Sequence, residues 1–368
     1  MDIKNKIIEY SREIEIDSIG FCLAEPFYEI EDILVNREKS GFMCELESRE
    51  YEKKIYPSLT MENAKSFIVI LESYSDISRK VNNGDIRGNI SMAAVSNDYH
   101  ITVMDKLKRL EEFLQSQVEC KTKCYVDISP FSDRAIAKRA GLGFIGKNSM
   151  LITNNYGSKV FIGYILTDYY IEPDDNIMKI DCSNCNNCVK ACPTGAINSN
   201  GQIDCNKCIS YLTQHRGDIS NDLKRKMGQQ VYGCDVCQRV CPYNKVDNKE
   251  SINIIDPYPT YDSILGISNK EFKKTYSLTA SGWRGKKLLQ RNAIIGLGNS
   301  KNKKALEILE KYIYDIRDDI RKEIVIAIKT LSCIEGIELL NKMKDKEKNN
   351  QIVILIDKAI EEITNSNI

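Results

Sequence analysis

A ladder of nine cysteines between residues 182 and 241 constrains this chain more than any other feature. Its first part reads C-x2-C-x2-C-x3-C-P, and its last part reads C-x2-C-x3-C-P. In such runs three thiolates hold one [4Fe–4S] cluster, and the fourth reaches a second cluster. The spacing therefore predicts two clusters. The first would be held by Cys182, Cys185, Cys188 and Cys241, and the second by Cys192, Cys234, Cys237 and either Cys205 or Cys208.

Two other uses of cysteine compete with this interpretation. Zinc sites are also built from C-x2-C pairs, but a zinc ribbon does not need the C-x3-C-P ends. Disulfides need an oxidising compartment, and the first residues of the chain have no apolar signal region. We therefore expect a cytoplasmic protein in which the 14 cysteines mainly serve iron. A multi-histidine metal site is excluded, because the only histidines are His100 and His215.

Length and charge set further limits. A chain of 368 residues predicts two or three domains. Formal net charge is zero, so any polyanion must bind to a local patch. No apolar run approaches the length of a membrane span, and we expect a monomer.

The predicted elements divide the chain into three domains of an α+β multidomain protein. Strands alternate with helices over residues 1–168, which favours an α/β domain. One predicted helix covers Ile101–Gln117, and buried strands are predicted at Ser18–Ala24 and Phe67–Leu71. Residues 169–248 would form a bacterial ferredoxin-like domain with the two clusters. Residues 249–368 would form a connector and a helical tail.

The tail contains an internal repeat. Apolar segments that begin at Arg291, Arg321 and Gln351 recur about every thirty residues, with shorter segments at 305–309 and 336–340. Paired helices at this period are typical of HEAT-like repeats, which stack side by side. A basic patch at the start of the tail contains an aromatic residue, a combination that can hold a nucleic-acid backbone; the alternative is a solvated helix face. The patch consists of Trp283, Arg284, Lys286, Lys287 and Arg291.

The segment from Gly141 to Lys147 reads G-L-G-F-I-G-K. It follows a predicted helix and precedes a strand, which is the reverse of the order in a dinucleotide-binding fingerprint. The segment is not a P-loop either, because Asn148 follows Gly146-Lys147 where that motif needs Ser or Thr. The glycines instead suggest close approach of the backbone to a bulky flat ligand.

Several segments together resemble the epoxyqueuosine reductases. They occur in the family's order and together cover nearly the whole chain. The segments are Val126-Asp127, Asp133–Ala135, Ala140–Asn148, Ala191–Ile197, Cys208–Thr213, Tyr232–Gln238, Cys241-Pro242, Gly282–Lys287 and Arg291–Ala293. The family is a cytoplasmic relative of the reductive dehalogenases that uses cobalamin and two [4Fe–4S] clusters. It removes the epoxide oxygen of epoxyqueuosine at the wobble position of tRNA.

The resemblance implies roles for individual residues. Cys208 would be the eighth cluster ligand, and Asp127 the general acid. Cobalamin would bind base-off, without a histidine ligand, to a nitroreductase-like first domain. Its contacts would come from Lys54, Tyr99, His100, Asp127, Gly143, Gly146, Lys147 and Asn148. The basic patch and the repeats would bind the anticodon stem-loop of tRNA, and a ferredoxin or flavodoxin would donate electrons.

Local sequence supports the acid only in part. Asp127 lies among apolar residues at a strand end, where desolvation would keep a carboxyl protonated, although a turn-forming role is the simpler alternative. The chain departs from the family at Ile128-Ser129, at Met92–Ser96, at Lys54 and at Tyr243. Three other functions share some of these features: a reductive dehalogenase for a small organohalide, an electron-transfer subunit and a cobalamin-trafficking chaperone.

Overall fold

We analysed a computed structural model of the chain, which describes residues 2–75, 84–175, 178–244 and 252–366. It contains two compact units, each built from separated segments. Unit one is Met1–Asp76, Asn97–Cys208 and Asp235–Ile252, and unit two is Ile77–Ser96, Ile209–Cys234 and Asn253–Ile368. These units do not coincide with three consecutive domains. The predicted boundary at 248/249 lies outside the described residues.

The regular elements are numbered in chain order. The helices are α1 Ile3–Glu13, α2 Glu31–Lys39, α3 Tyr51–Ile55, α4 Tyr99–Gln117, α5 Asp133–Arg139, α6 Asn187–Ala191, α7 Ile209–Leu212, α8 Asn221–Lys226, α9 Val236–Arg239, α10 Tyr261–Leu265, α11 Asn269–Lys274, α12 Lys286–Asn299, α13 Ala305–Glu310, α14 Asp318–Leu331, α15 Glu335–Lys344 and α16 Asn350–Ser366. The strands are β1 Ser18–Leu23, β2 Ser66–Ser73, β3 Asn89–Ile90, β4 Thr122–Val126, β5 Phe144–Ile145, β6 Leu151–Ile152, β7 Val160–Thr167 and β8 Gln230–Tyr232.

Unit one is organised around a four-stranded sheet with the order β1-β2-β7-β4. All of its neighbouring strands run antiparallel. The predicted mixture of helices and strands is confirmed, but an antiparallel sheet makes this unit α+β rather than α/β with a parallel sheet. Alternation of helices and strands along a sequence does not reveal strand direction, which depends on the path of each connection.

The two faces of β2 explain its almost continuous apolar sequence. Side chains alternate between the faces of a strand, so Phe67 and Val69 pack into one core cluster, while Ile68 and Ile70 pack into the other. The second cluster includes the apolar stripe of α4, whose members Val103, Leu107, Leu110 and Leu114 are fully buried. Burial on both sides fixes the sheet that carries the candidate site.

Unit two contains the helical tail. Its long helices α12, α14 and α16 begin at Lys286, Asp318 and Asn350, and the shorter helices α13 and α15 lie between them in the chain. Each predicted apolar segment of the repeat therefore falls within a helix. The unit also contains a parallel pairing of β3 with β8. Among the described residues, none of the helices is both long and apolar enough to span a membrane.

Candidate functional site

Three side chains of unit one form a line of hydrogen bonds. Asp98 caps the start of α4 by accepting a bond from the backbone N–H of His100 at 3.1 Å. The same carboxylate lies 2.6 Å from Nδ1 of His100. On the other side of the imidazole, Nε2 lies 3.2 Å from Oδ2 of Asp127. Both ring nitrogens of His100 are thus engaged by carboxylates.

Asp127 directly follows β4 and has a left-handed backbone with φ of 57°. Aspartate tolerates this conformation better than most residues, and backbone of this kind is concentrated at functional sites. Its side chain is 58% exposed. The desolvated environment predicted from its apolar sequence neighbours is therefore wrong. The reversal of the chain after β4 leaves the carboxyl at the surface, and Ile128 is also exposed.

The carboxylates control the protonation of His100. Hydrogen bonds to Asp127 and Asp98 outweigh partial burial and raise the pKa of His100 to about 9. Burial alone would raise the pKa of Asp98, but bonds from the side chain and backbone of His100 hold it below its usual value. At neutral pH the site is an imidazolium between two acidic side chains.

A buried polar network supports the loop that follows Asp127. The hydroxyl of Tyr164, on β7, lies 2.7 Å from Oδ1 of Asp133 and 2.5 Å from Oγ of Ser129. Ser129 also accepts a bond from the N–H of Phe131 at 3.0 Å. Burial raises the pKa of Asp133 to about 6. Sequence reasoning missed Tyr164, whose only local signal is a hydroxyl within an otherwise apolar strand.

A cavity in the same unit brings together the four ligands predicted for the first cluster. Cys182, Cys185, Cys188 and Cys241 line it, together with Asn148, Ile152, Asn187, Pro242 and Tyr243. Of these cysteines, Cys188 lies on α6, and Cys241 follows shortly after the end of α9. Four thiols around one cavity fit the ligand set of a [4Fe–4S] cluster.

Asn148 lines this cavity, and Lys147 contacts the cysteine segment beside it. The backbone N–H of Lys147 donates to Sγ of Cys182 at 3.4 Å. Its ammonium donates to the carbonyls of Ser183 and Cys185 at 3.0 and 2.9 Å. Asn148 is 2% exposed, and its Nδ2 has no hydrogen-bond partner within the described part of the chain.

The other residues predicted to contact a flat ligand are used within unit one. A Cβ atom at Gly143 would lie 2.6 Å from the carbonyl oxygen of Ile152, and one at Gly146 would lie 2.5 Å from its side chain. These glycines thus permit the tight β5–β6 hairpin, which was not foreseen. Lys54 donates to the carbonyl of Ser48 at 2.6 Å, and burial lowers its pKa. Tyr99 stacks on Phe161.

The cysteines predicted to bind the second cluster belong to segments of both units. Cys192, Cys208 and Cys237 belong to unit one, and Cys234 is the last residue of a segment of unit two. Cys205, the alternative to Cys208, has another partner: its Sγ lies 2.7 Å from Sγ of Cys44.

The basic patch lies in unit two, and its members differ in exposure and in the groups that they contact. Trp283 is 53% exposed, and its indole N–H donates to Gln214 at 2.9 Å, while the guanidinium of Arg284 stacks over its ring. Lys287 is exposed and pairs with Asp319, whereas Lys286 donates to a backbone carbonyl.

Arg291 differs from the rest of the patch. It donates to the backbone carbonyls of His215 and Leu212 at 2.6 and 3.0 Å. Burial lowers the pKa of Arg291, which places the group inside the unit. The structure does not favour the predicted contact of Arg291 with an RNA phosphate, because two main-chain carbonyls and Oδ1 of Asn292 already accept bonds from its guanidinium.

Comparison with known proteins identifies the family. The epoxyqueuosine reductase of Bacillus subtilis (strain 168) is 38% identical over 98% of this chain and 95% of its own length. This chain belongs to the epoxyqueuosine reductase family. The corresponding reductase of Staphylococcus aureus is also 38% identical, over 94% of this chain and 93% of its own. The family consists of oxidoreductases, so the protein is an enzyme.

Family models and solved structures agree with this assignment. The model described as "Epoxyqueuosine reductase QueG, DUF1730" matches residues 54–128, and a 4Fe-4S double cluster binding domain matches residues 181–244. A crystal structure of epoxyqueuosine reductase with a tRNA-Tyr epoxyqueuosine-modified stem loop has a TM-score of 0.89 and 37% identity, over 98% of this chain and 99% of that one. The structure from Streptococcus thermophilus has a TM-score of 0.89 and 32% identity over the same shares.

Proposed function

We propose that the protein reduces epoxyqueuosine to queuosine at the wobble position of tRNA, the last step of queuosine synthesis. Removal of the epoxide oxygen as water consumes two electrons and two protons and leaves an alkene. The observation that carries the proposal is that unit one contains both a proton-bearing array, Asp98–His100–Asp127, and a cavity lined by four cysteines. The relative solved with a modified tRNA stem loop supports tRNA as the substrate.

The cysteines would hold two [4Fe–4S] clusters as the route for the electrons. The first cluster would be held by Cys182, Cys185, Cys188 and Cys241, and the second by Cys192, Cys208, Cys234 and Cys237. The double-cluster match over residues 181–244 supports this set. Clusters held there would supply one-electron chemistry, and a ferredoxin or flavodoxin would be the source of the electrons. The N–H groups of Lys147 and Asn148 would donate to sulfur at the first cluster.

The resemblance implies cobalamin. His100 would not be a ligand to its cobalt, because both ring nitrogens already contact carboxylates. The cofactor would supply cobalt as the reductant of the C–O bond. We place it at the face presented by Tyr99, His100 and Asp127. We propose no cobalamin contact for five of the residues that the resemblance implies, because each is already hydrogen-bonded or packed within unit one. They are Lys54, Gly143, Gly146, Lys147 and Asn148.

Asp127 would pass to the departing oxygen the proton that His100 holds. Asp127 is the exposed end of the array, so it is the member that can meet a substrate. His100 is a positioning residue: as an imidazolium it lies within hydrogen-bond distance of Asp127 and can restore its proton. A structure of the Bacillus subtilis reductase in which a catalytic loop has swung out of the active site supports a mobile acid, and equating that loop with the one at Asp127 is part of this proposal.

The helical tail would bind the RNA. We propose that α12–α16 are HEAT-like repeats, and that the exposed members of the basic patch, Trp283 and Lys287, meet the anticodon stem-loop. A target base must leave its stack to enter an active site, and an aromatic side chain can stabilise unstacked bases. We further propose that the enzyme acts as a cytoplasmic monomer.

The test is to replace Asp127 with Asn in protein purified without oxygen. We expect iron and cobalt contents equal to those of the unchanged protein and a loss of turnover of about 100-fold or more, because a positioned general acid contributes at least this much. Asp105→Asn, an exposed change on α4 outside the array, is the control. Full turnover in Asp127→Asn would remove the acid assignment, and protein that takes up iron but never a corrinoid would remove the proposed function.

A further inference from the structure

A pair of cysteines outside the proposed cluster ligands lies in close contact. Sγ of Cys44 and Sγ of Cys205 are 2.7 Å apart, although the residues are separated by 161 positions in the chain. Cys44 is buried, and Cys205 is partly exposed. Both belong to unit one. Neither thiol has a role in the reaction proposed above.

Backbone contacts hold the two segments together at this point. The N–H of Cys205 donates to the carbonyl of Phe42 at 2.9 Å. The side chain of Asn206 donates to the carbonyls of Gly41 and Met43, each at 3.0 Å. Bonds from Cys205 and Asn206 to the residues just before Cys44 therefore hold the two backbone segments side by side.

A metal ion is the first alternative for such a pair. Glu47 is the third potential ligand, and its ligand atom lies within 4.8 Å of both sulfurs. Its oxygens, however, accept bonds from Arg37 at 2.8 and 2.9 Å, so the carboxylate is already neutralised. Two sulfurs on one tetrahedral zinc would also lie about 3.8 Å apart, given Zn–S bonds of about 2.3 Å. The observed separation is closer to that of two sulfurs about to bond.

We propose that Cys44 and Cys205 form a reversible disulfide that joins residues 41–44 to the loop leading to Cys208. With a small-molecule disulfide as oxidant, one protein sulfur first forms a mixed disulfide and releases one thiol. The other protein sulfur then displaces the second thiol. The protein loses two electrons and two protons, and the reagent gains both. The linkage closes a very long loop, and a crosslink of this kind restricts the unfolded chain.

The contact between the sulfurs of Cys44 and Cys205 also favours thiol–disulfide exchange. A hydrogen bond from the Cys205 thiol lowers the pKa of Cys44, and the thiolate is the form that attacks a disulfide. Cys44 is therefore the favoured sulfur for the first attack, and the neighbouring Cys205 would then resolve the mixed disulfide.

The experiment uses iron-loaded protein kept free of oxygen and treated with glutathione disulfide. After acid quenching and alkylation of free thiols, trypsin releases residues 40–49, which contain Cys44, and residues 191–207, which contain Cys192 and Cys205. We expect the two peptides to become linked in most of the protein, without loss of iron. Dithiothreitol should reverse the linkage, and the oxidised protein should have a higher Tm.

Three variants identify the sulfurs. Cys205→Ser and Cys44→Ser should each abolish the linked peptide, and Cys333→Ser, a buried thiol of unit two, should not. Linkage that persists in Cys205→Ser would run through Cys192 and would overturn the proposal. Linkage that appears only after iron is lost, or no linkage, would also overturn it. So would added zinc that protects both thiols from alkylation. Because none of these measurements depends on turnover, the result is separate from the test of the proposed function.

Discussion

The proton in the Asp98–His100–Asp127 array is shared by three groups that differ in exposure. Asp98 is tied to the start of α4, and His100 is held between the two carboxylates, whereas Asp127 is 58% exposed. The acid proposed above would need an accessible carboxyl to meet a bulky substrate and a proton donor behind it. Asp127 and His100 would take these two places in the array.

The first prediction concerns the titration of His100. Its raised pKa means that protonation stabilises the folded state fully below about pH 6.5, and that this contribution disappears as the pH rises through about 9. Because the group is partly exposed, we expect a contribution on the order of 1 kcal/mol. In Asp127→Asn the pKa should fall towards its ordinary value, since the largest cause of the shift is removed.

Nuclear magnetic resonance can measure this directly, because the protein has two histidines. His215→Gln leaves one imidazole signal, which assigns the titration. A His100 pKa near 6.5 in the unchanged protein would contradict the hydrogen bonding of His100 to the two carboxylates. A pKa that Asp127→Asn leaves at about 9 would contradict the contribution of Asp127 to it.

The second prediction concerns Asn148. Replacing Asn148 with Leu keeps the side-chain volume but removes the side-chain N–H groups from the cavity lined by Cys182, Cys185, Cys188 and Cys241, called the cluster cavity below. Hydrogen bonds to cluster sulfur stabilise the reduced form, and a bond worth about 1 kcal/mol corresponds to roughly 40 mV for one electron. A redox titration followed by electron paramagnetic resonance should thus give a midpoint potential lower by about this amount.

Asn187 provides the matched control for that measurement. It lines the same cavity, but its amide already donates to the carbonyl of Val240 at 3.4 Å. Asn187→Leu should leave the potential nearly unchanged. Equal shifts in both variants would mean that general polarity of the cavity, rather than the Asn148 donor, sets the potential.

At the scale of elements, α12 has an anchoring part and an exposed part. Arg291 and Asn292 point into unit two, where the amide of Asn292 donates to the carbonyls of Thr213 and Val231, each at 2.8 Å. Asn292 is fully buried. The first turn of the helix instead presents Lys287 to solvent. One helix therefore combines a structural contact with a candidate RNA contact.

The third prediction separates these parts. Arg291→Ala should lower the free energy of unfolding by roughly 2 kcal/mol or more, because it leaves two backbone carbonyls without their charged donor. Lys287→Ala, on the exposed part, should change it by about 0.5 kcal/mol or less. Denaturant unfolding of both variants provides the comparison, and similar losses would show that Arg291 is not an anchor.

At the scale of the whole molecule, the formal net charge of zero requires any RNA contact to be local. Several lysines described in the helical tail pair with carboxylates, among them Lys287 with Asp319, Lys303 with Glu335 and Lys342 with Glu310. A few phosphate contacts must then provide the salt dependence of tRNA binding, and the loss of one should be measurable.

The fourth prediction is that Lys287→Glu weakens tRNA binding several-fold and reduces the slope of log affinity against log salt by about 1. Lys303→Glu is the control, because it makes the same charge change at an exposed lysine that also has a carboxylate partner. Binding titrations at several salt concentrations test both. Equal effects in the two variants would mean that tRNA binding does not depend on Lys287 in particular, and would contradict the proposed contact.

Much of this protein was predictable from local sequence. The limits of β1, β2 and α4 lie close to those predicted, because apolar periodicity reports burial within a single element. The four cysteines of the first cavity were also predictable, since the spacing of thiols on short helical turns determines which of them can meet one cluster. The helices of the repeat followed from their period in the same way.

The roles of other residues were decided by tertiary structure. Lys147 and Asn148 adjoin the cluster cavity, and Gly143 packs against Ile152, because the β5–β6 hairpin folds back on itself. Arg291 reads as a basic surface residue until the carbonyls that it binds are placed around it. The exposure of Asp127 and its contact with His100 arise where β4 ends beside the start of α4. Spacing and periodicity describe neighbours along the chain, whereas these contacts join segments whose proximity only the packed fold creates.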